Sequence, residues 1–138
     1  MVKVIIGRRG SGKTKMLIDM VNRAATESKG NVVCIEKNRV LTYNVISAVR
    51  LIETSDYKIN SYEALYGFIA GIMARDYDAT EIFLDSIKKI GGDDKEEIAN
   101  FLDKIAEITT PNNLTLIVTL SYDISEIPDS IKKYVVNI

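Results

Sequence analysis

The sequence predicts an α/β fold, a mostly parallel sheet with helices on both faces. Three observations carry this expectation. Short, apolar, β-branched runs recur along the chain, segments with helical periodicity separate them, and no internal repeat, low-complexity tract or linker interrupts the 138 residues. At that length, with 46% hydrophobic residues, the chain has enough apolar surface for one domain spanning residues 1–138.

Val2-Lys3-Val4-Ile5-Ile6 reads as a buried strand that feeds a turn at Gly7. From Lys13 to about Ser28, Met16, Leu17, Met20, Val21, Ala24 and Ala25 recur at helical spacing, and Lys29-Gly30-Asn31 ends the helix. Asn31 to Glu36 is a second apolar strand. A weaker helical pattern over Leu41 to Glu53 and a short third strand at Tyr57-Lys58-Ile59 are expected next. Ser61 can cap a helix that runs to about Arg75, with Leu65, Phe68, Ile69, Ile72 and Met73 on its apolar face. Gly67 and Gly71 are expected to pack against the sheet.

Glu81-Ile82-Phe83-Leu84-Asp85 is the fourth strand. Lys88-Lys89-Ile90-Gly91-Gly92 reads as a mobile connection, and Asp93 with Glu96 as the capping box of a helix that turns Ile98, Phe101, Leu102 and Ile105 inward. Pro111-Asn112-Asn113 stops it. Leu114 to Leu120 is a fully apolar fifth strand, and Tyr134 to Ile138 can add a sixth after a turn of helix opened by Pro128.

Composition removes several kinds of chemistry. No histidine occurs, so imidazole bases, serine triads and histidine metal sites are excluded and carboxylates must do any proton work. The single Cys34 excludes an internal disulfide and a zinc site built from several thiolates; inside Val32-Val33-Cys34-Ile35 it reads as a small buried hydrophobe. With 18 basic and 19 acidic residues, charge offers no support for a nucleic-acid partner. No apolar run approaches the ~18 residues of a membrane span. Met1 precedes the first motif by only six residues, which leaves no space for a leader, so the expected compartment is the cytoplasm.

That motif is Gly7-Arg8-Arg9-Gly10-Ser11-Gly12-Lys13-Thr14, which satisfies Gly, four residues, Gly, Lys, and Ser or Thr, set between a strand and a helix. Glycines let the backbone curl so that successive amide hydrogens point inward, at a helix N-terminus whose partial positive charge favours phosphate. A nucleoside triphosphate is the expected ligand. Lys13 is expected to reach its β- and γ-phosphates, and the Thr14 hydroxyl to ligate Mg2+. Arg8 and Arg9 can add phosphate contacts or form a basic rim for a partner.

Such a loop needs an acid at the end of a neighbouring strand to hold a magnesium-bound water, and Ile82-Phe83-Leu84-Asp85 supplies it. Hydrolysis also needs a base or a water-orienting group. Ser86 occupies the position after Asp85 where many P-loop ATPases carry a glutamate. Glu36, at the end of the second strand and at the same sheet edge, is the expected replacement.

With these residues in place the chain resembles the RecA-like ATPases, which include RecA recombinases, KaiC-type proteins and replicative helicases. In that group the second strand ends in the catalytic glutamate, as Val32-Val33-Cys34-Ile35-Glu36 does, and the Walker B aspartate of recombinases is often followed by serine, as in Asp85-Ser86. Ser61-Tyr62-Glu63-Ala64-Leu65 looks like the recombinase segment between the third strand and Walker B, and Leu116 to Ser121 like the sensor strand. The resemblance implies a three-layer P-loop NTPase with strand order 3-2-4-5-1-6, Glu36 and Asp85 on adjacent strands, ATP with Mg2+, and Ser121 as the phosphate sensor. It also implies a possible homo-oligomer, in which Arg39, Arg50, Arg75, Lys132 or Lys133 of a neighbouring copy completes the site. Two departures stand out. Ser121, with Thr119 nearby, replaces a longer amide, and there is little room for DNA-binding loops or an oligomerisation arm.

Two alternatives use the same loop. One is a nucleotide-dependent switch with little hydrolysis, and the other a small-molecule or nucleoside kinase. A GTPase is disfavoured because no glycine stands at the third position after Asp85 and no Asn-Lys-x-Asp signature occurs, which leaves adenine by elimination. Tyr122 and Tyr134 lie nearest the expected sheet edge for stacking on a base.

Overall fold

The structure, a computed structural model, describes residues 1–38 and 44–136. Its strands are β1 (Val2–Ile6), β2 (Asn31–Glu36), β3 (Arg50–Glu53), β4 (Ala79–Leu84) and β5 (Thr115–Leu120). The helices are α1 (Lys13–Glu27), α2 (Tyr62–Arg75), α3 (Ile87–Gly91), α4 (Lys95–Thr109) and α5 (Asp129–Lys132). All five strands pair in parallel in the order β1-β5-β4-β2-β3.

Strand alternation sorts the core into two clusters, one on each face. Ile5, Val32, Cys34, Phe83 and Ile117 point to the face covered by Leu17, Val21 and Ala24 of α1. Val4, Val33, Ile35, Ile82, Leu84, Leu116 and Val118 point the other way, onto Leu65 and Ile69 of α2 and onto Ile98, Leu102 and Ile105 of α4. Because the strands are buried on both faces, they read as continuous apolar runs. Cys34 is fully buried, and burial raises its thiol pKa well above the ordinary value.

Several expected elements differ. The third strand is Arg50–Glu53, within the stretch expected to be helical, and Tyr57-Lys58-Ile59, expected as the third strand, instead closes a turn of 3-10 helix (Thr54–Tyr57) with Lys58 in the left-handed region. Pairing with β2 decides this: Leu51 and Ile52 align with Cys34 and Ile35, so a run with weak helical spacing is drawn into the sheet as an edge strand. The start of the helical pattern expected from Leu41 lies outside the described residues.

The segment expected as a mobile connection is α3, held because Ile87 and Ile90 are buried and Tyr62 donates its hydroxyl hydrogen to the Gly92 carbonyl at 2.6 Å. The cap of α4 is Asp94, whose carboxylate accepts from Glu96 N and Glu97 N, one residue later than Asp93. Gly67 and Gly71 are exposed and a Cβ at either would touch nothing, so they do not pack against the sheet; the helix's apolar residues Leu65 and Ile69 occupy that face. Beyond α5, Val135 makes a single parallel bridge to Val4 rather than a full sixth strand, and the last two residues of that expected strand lie outside the described residues. No helix among the described residues is long and apolar enough to cross a membrane.

Candidate functional site

The glycine loop leaves β1 at its carboxyl end and enters α1 directly. Gly10 and Gly12 have φ of 83° and 90°, the left-handed region that glycine enters without steric cost. Gly7 answers a different requirement. A Cβ there would lie 2.5 Å from Ser11 Oγ and 3.3 Å from Ser11 Cβ, so the Ser11 side chain would have to move within a turn that is closed by Ser11 N donating to Arg8 O at 3.0 Å. Gly12 caps α1 without a side-chain acceptor, so no side chain of the cap occupies the amide hydrogens of the first turn.

Lys13, the first residue of α1, is 9% exposed and folds back so that Nζ donates to Arg8 O at 3.0 Å. Burial lowers its pKa most; Asp85 opposes that effect, and Lys88 and Lys89 add to it by repulsion. Thr14 follows, half-buried. Arg9 is exposed, whereas Arg8 reaches across to Asp123 at 2.6 Å. That bond raises the Arg8 pKa and lowers the Asp123 carboxyl pKa. The loop is thereby tied to the segment after β5.

Across the carboxyl edge of the sheet, registry brings the expected acids together. β2 and β4 are neighbours, and Asp85 N donates to Ile35 O at 2.9 Å, so Asp85 stands beside Glu36. Both share strand parity with Cys34 and Phe83, which fixes them on the α1 face. Both are buried, Glu36 at 3% and Asp85 at 7% exposure.

Thr119 joins them from β5. Its Oγ1 donates to Asp85 Oδ1 at 2.8 Å and accepts from Ser86 N at 2.7 Å, while Ser86 Oγ donates to Asp85 Oδ2 at 3.2 Å. Ser86 holds φ at 55°, a left-handed turn that a serine adopts at a cost, and the bond from Thr119 pins it. Thr119 is therefore the β5 residue in contact with Asp85. Ser121 lies past the end of the strand, and it is its carbonyl that is engaged, by Lys88 Nζ at 2.8 Å. A signal for Thr119 was available in the sequence: it is a hydroxyl near the carboxyl end of an otherwise apolar run, on the same parity as Ile117, which faces α1.

Thr119→Val is expected to cost about 1–3 kcal/mol, because it strands one oxygen of Asp85 and the Ser86 amide in a dry setting. Urea denaturation checks this, with Thr119→Ser expected to stay close to wild type; an unchanged midpoint for the valine variant would show that Thr119 does not hold the pair.

Other expected site residues are elsewhere. Tyr122 and Tyr134 belong to the α4 side of the sheet; their hydroxyls donate to Asp93 O and to Asp103 Oδ1, and burial, with the bond to Asp103 adding to it, pushes the Tyr134 pKa up to about 12. Arg50 opens β3 and Arg75 ends α2, so both sit toward the amino ends of the strands, opposite the loop. Lys133 pairs with Asp103 at 3.1 Å, and Arg39 lies outside the described residues.

No protein-family model matches the chain, and comparison with curated proteins finds no match.

Proposed function

We propose that this chain binds MgATP through Gly7 to Thr14 and hydrolyses it, in the manner of a small RecA-like ATPase of the three-layer P-loop type. One observation carries the proposal: the glycine loop and two buried carboxylates, Glu36 and Asp85, converge at the carboxyl edge of one parallel sheet and on the face of α1. In open parallel sheets ligands bind at that edge. The loop amides and Lys13 would bind the phosphates, Lys13 exchanging its bond to Arg8 O for phosphate oxygens. The Thr14 hydroxyl would ligate a magnesium ion and Asp85 would order its water shell, and the ion would neutralise part of the phosphate charge. Glu36, with Ser86 in the position next to Asp85, would orient the attacking water and accept its proton. Thr119 would keep Asp85 in place, with Ser121 at the mouth of the site as the phosphate sensor.

The switch reading has its own support. Asp85 is followed by a serine whose hydroxyl is already engaged by the aspartate, so all hydrolytic capacity rests on Glu36. The kinase reading needs an acceptor site beside the terminal phosphate. A cleft of about 340 Å³ lined by Ser61, Tyr62, Tyr66 and Phe101 lies instead between α2 and α4, across the sheet from α1.

Calorimetric titration with MgATP, with and without chelation of magnesium, tests the shared premise. The expected outcome is one saturable site whose affinity falls when magnesium is removed. Absence of binding in both conditions would overturn all three readings.

A further inference from the structure

The connection between β4 and α4 carries a positively charged group that neither the loop nor the two carboxylates account for. Immediately after Asp85 the chain turns through Ser86, pinned by Thr119, into α3. Ile87 and Ile90 anchor α3 in the core, and Tyr62 donates to the carbonyl that follows it. Lys88 is thus on a short, doubly fastened helix rather than on a free loop. Its Nζ donates to Ser121 O at 2.8 Å and stands 3.7 Å from the centre of the Tyr122 ring.

These contacts hold the ammonium over the tip of β5, the strand that separates Asp85 from the loop-bearing β1. An ammonium has three donors. One is used by Ser121 O, and the ring face attracts the charge without consuming a donor. Lys88 forms no ion pair with a carboxylate among the described residues. It also lies close enough to Lys13 for the two charges to repel, with Lys89 adding to the same field. At the carboxyl edge of the sheet the ammonium groups of Lys13 and Lys88 thus stand with the buried carboxylates of Glu36 and Asp85, a mixed set that can hold phosphate and its counter-cation together.

We propose that Lys88 is a second phosphate-binding cation, supplied within the same chain, which with Lys13 grips the terminal phosphate of a bound nucleoside triphosphate. The inference rests on the triphosphate reading of the loop and deepens it. A single contact of Lys88 then spans the terminal phosphate and the segment after β5, so a diphosphate, lacking that group, loses it. Lys88 would be the cation that a neighbouring copy is otherwise required to provide.

The test compares the affinity of a slowly hydrolysed MgATP analogue with that of MgADP, by calorimetry on the full chain. Lys88→Met is expected to weaken the analogue on the order of 10- to 100-fold while MgADP changes by less than about twofold, as loss of one charge-assisted hydrogen bond implies. Lys88→Arg is expected to recover most of the difference, and Lys104→Met, a lysine at the cleft between α2 and α4 beside Tyr66, to leave both affinities unchanged. Equal weakening of both ligands, or of neither, would overturn the proposal by leaving Lys88 a purely structural tie to Ser121. Should the methionine variant not fold, Lys88→Gln takes its place under the same criterion. Wild-type protein that binds neither nucleotide would remove the triphosphate reading itself and this proposal with it, an outcome distinct from loss of the difference alone.

Discussion

Lys13→Met is expected to weaken MgATP binding by on the order of 10²–10⁴-fold while leaving the fold intact or slightly more stable. Two charge-assisted hydrogen bonds to phosphate, at about 1.5–3 kcal/mol each, set that range. The stability half follows from the direction of the lysine's pKa. Burial lowers it, so the folded state binds the proton less tightly than the unfolded chain does. For a base shifted downward, the cost to folding is fully present below the folded-state pKa and is relieved only as pH rises through it toward the unfolded value. That penalty is offset by the charge of Asp85 and by the bond to Arg8 O, and methionine removes it while retaining the stem. Calorimetry and thermal melting measured on the same variant check both halves. An affinity within about threefold of wild type would mean that Lys13 does not touch the ligand, and a large drop in melting temperature would mean that its ammonium is a structural tie.

Glu36→Gln is expected to reduce single-turnover ATP hydrolysis by about 10²–10⁴-fold, the usual contribution of a general base, with MgATP affinity changed by no more than a few-fold. Glu36 has the right place for this: it is buried at the end of β2, beside Asp85 on the next strand, on the face of α1 from which the loop's helix rises. Glutamine keeps the shape and one acceptor oxygen, replaces the other with a donor amide, and cannot take a proton. The rates are to be compared with and without single-stranded DNA, since a nucleic-acid partner could complete the site. If wild type and variant hydrolyse at equal, negligible rates in both conditions, Glu36 is not a base and the nucleotide-dependent switch becomes the better account.

Much of the site was legible in the chain because the signals are local. The loop announces itself through glycines at fixed spacing from Lys13 and Thr14, and two of those glycines, Gly10 and Gly12, take the left-handed conformation that explains their presence. Glu36 and Asp85 each close an apolar run. A period of two places Glu36 on the face of Cys34 and Asp85 on the face of Phe83, but that these are one face, and that it meets α1, is decided by the register of β2 against β4.

Other features depended on partners distant in sequence. Leu51 and Ile52 become a strand because β2 offers them a ladder, whereas the spacing of the segment alone favoured a helix. The stretch from Lys88 to Gly92 has the composition of a loose connection and is nonetheless helical, because two isoleucines and the hydroxyl of Tyr62 find buried partners. Asp94 rather than Asp93 caps α4, a one-residue difference that adjacent, chemically equal side chains leave to tertiary geometry. Gly67 and Gly71 show the same limit, since spacing identifies a shared face of α2 without saying whether that face meets the sheet or the solvent.

By itself the sequence determined the parallel α/β class, the position of the glycine loop between a strand and a helix, and the placing of Glu36 and Asp85 at the ends of apolar strands, all consequences of backbone periodicity and glycine stereochemistry. Only the tertiary structure decided that Thr119 is the residue on Asp85, that the Ser121 carbonyl accepts from Lys88, and that Lys88 stands over the tip of β5. Those contacts join residues 33 or 34 positions apart. They arise from strand registry and from the left-handed turn at Ser86, neither of which leaves a trace in local composition.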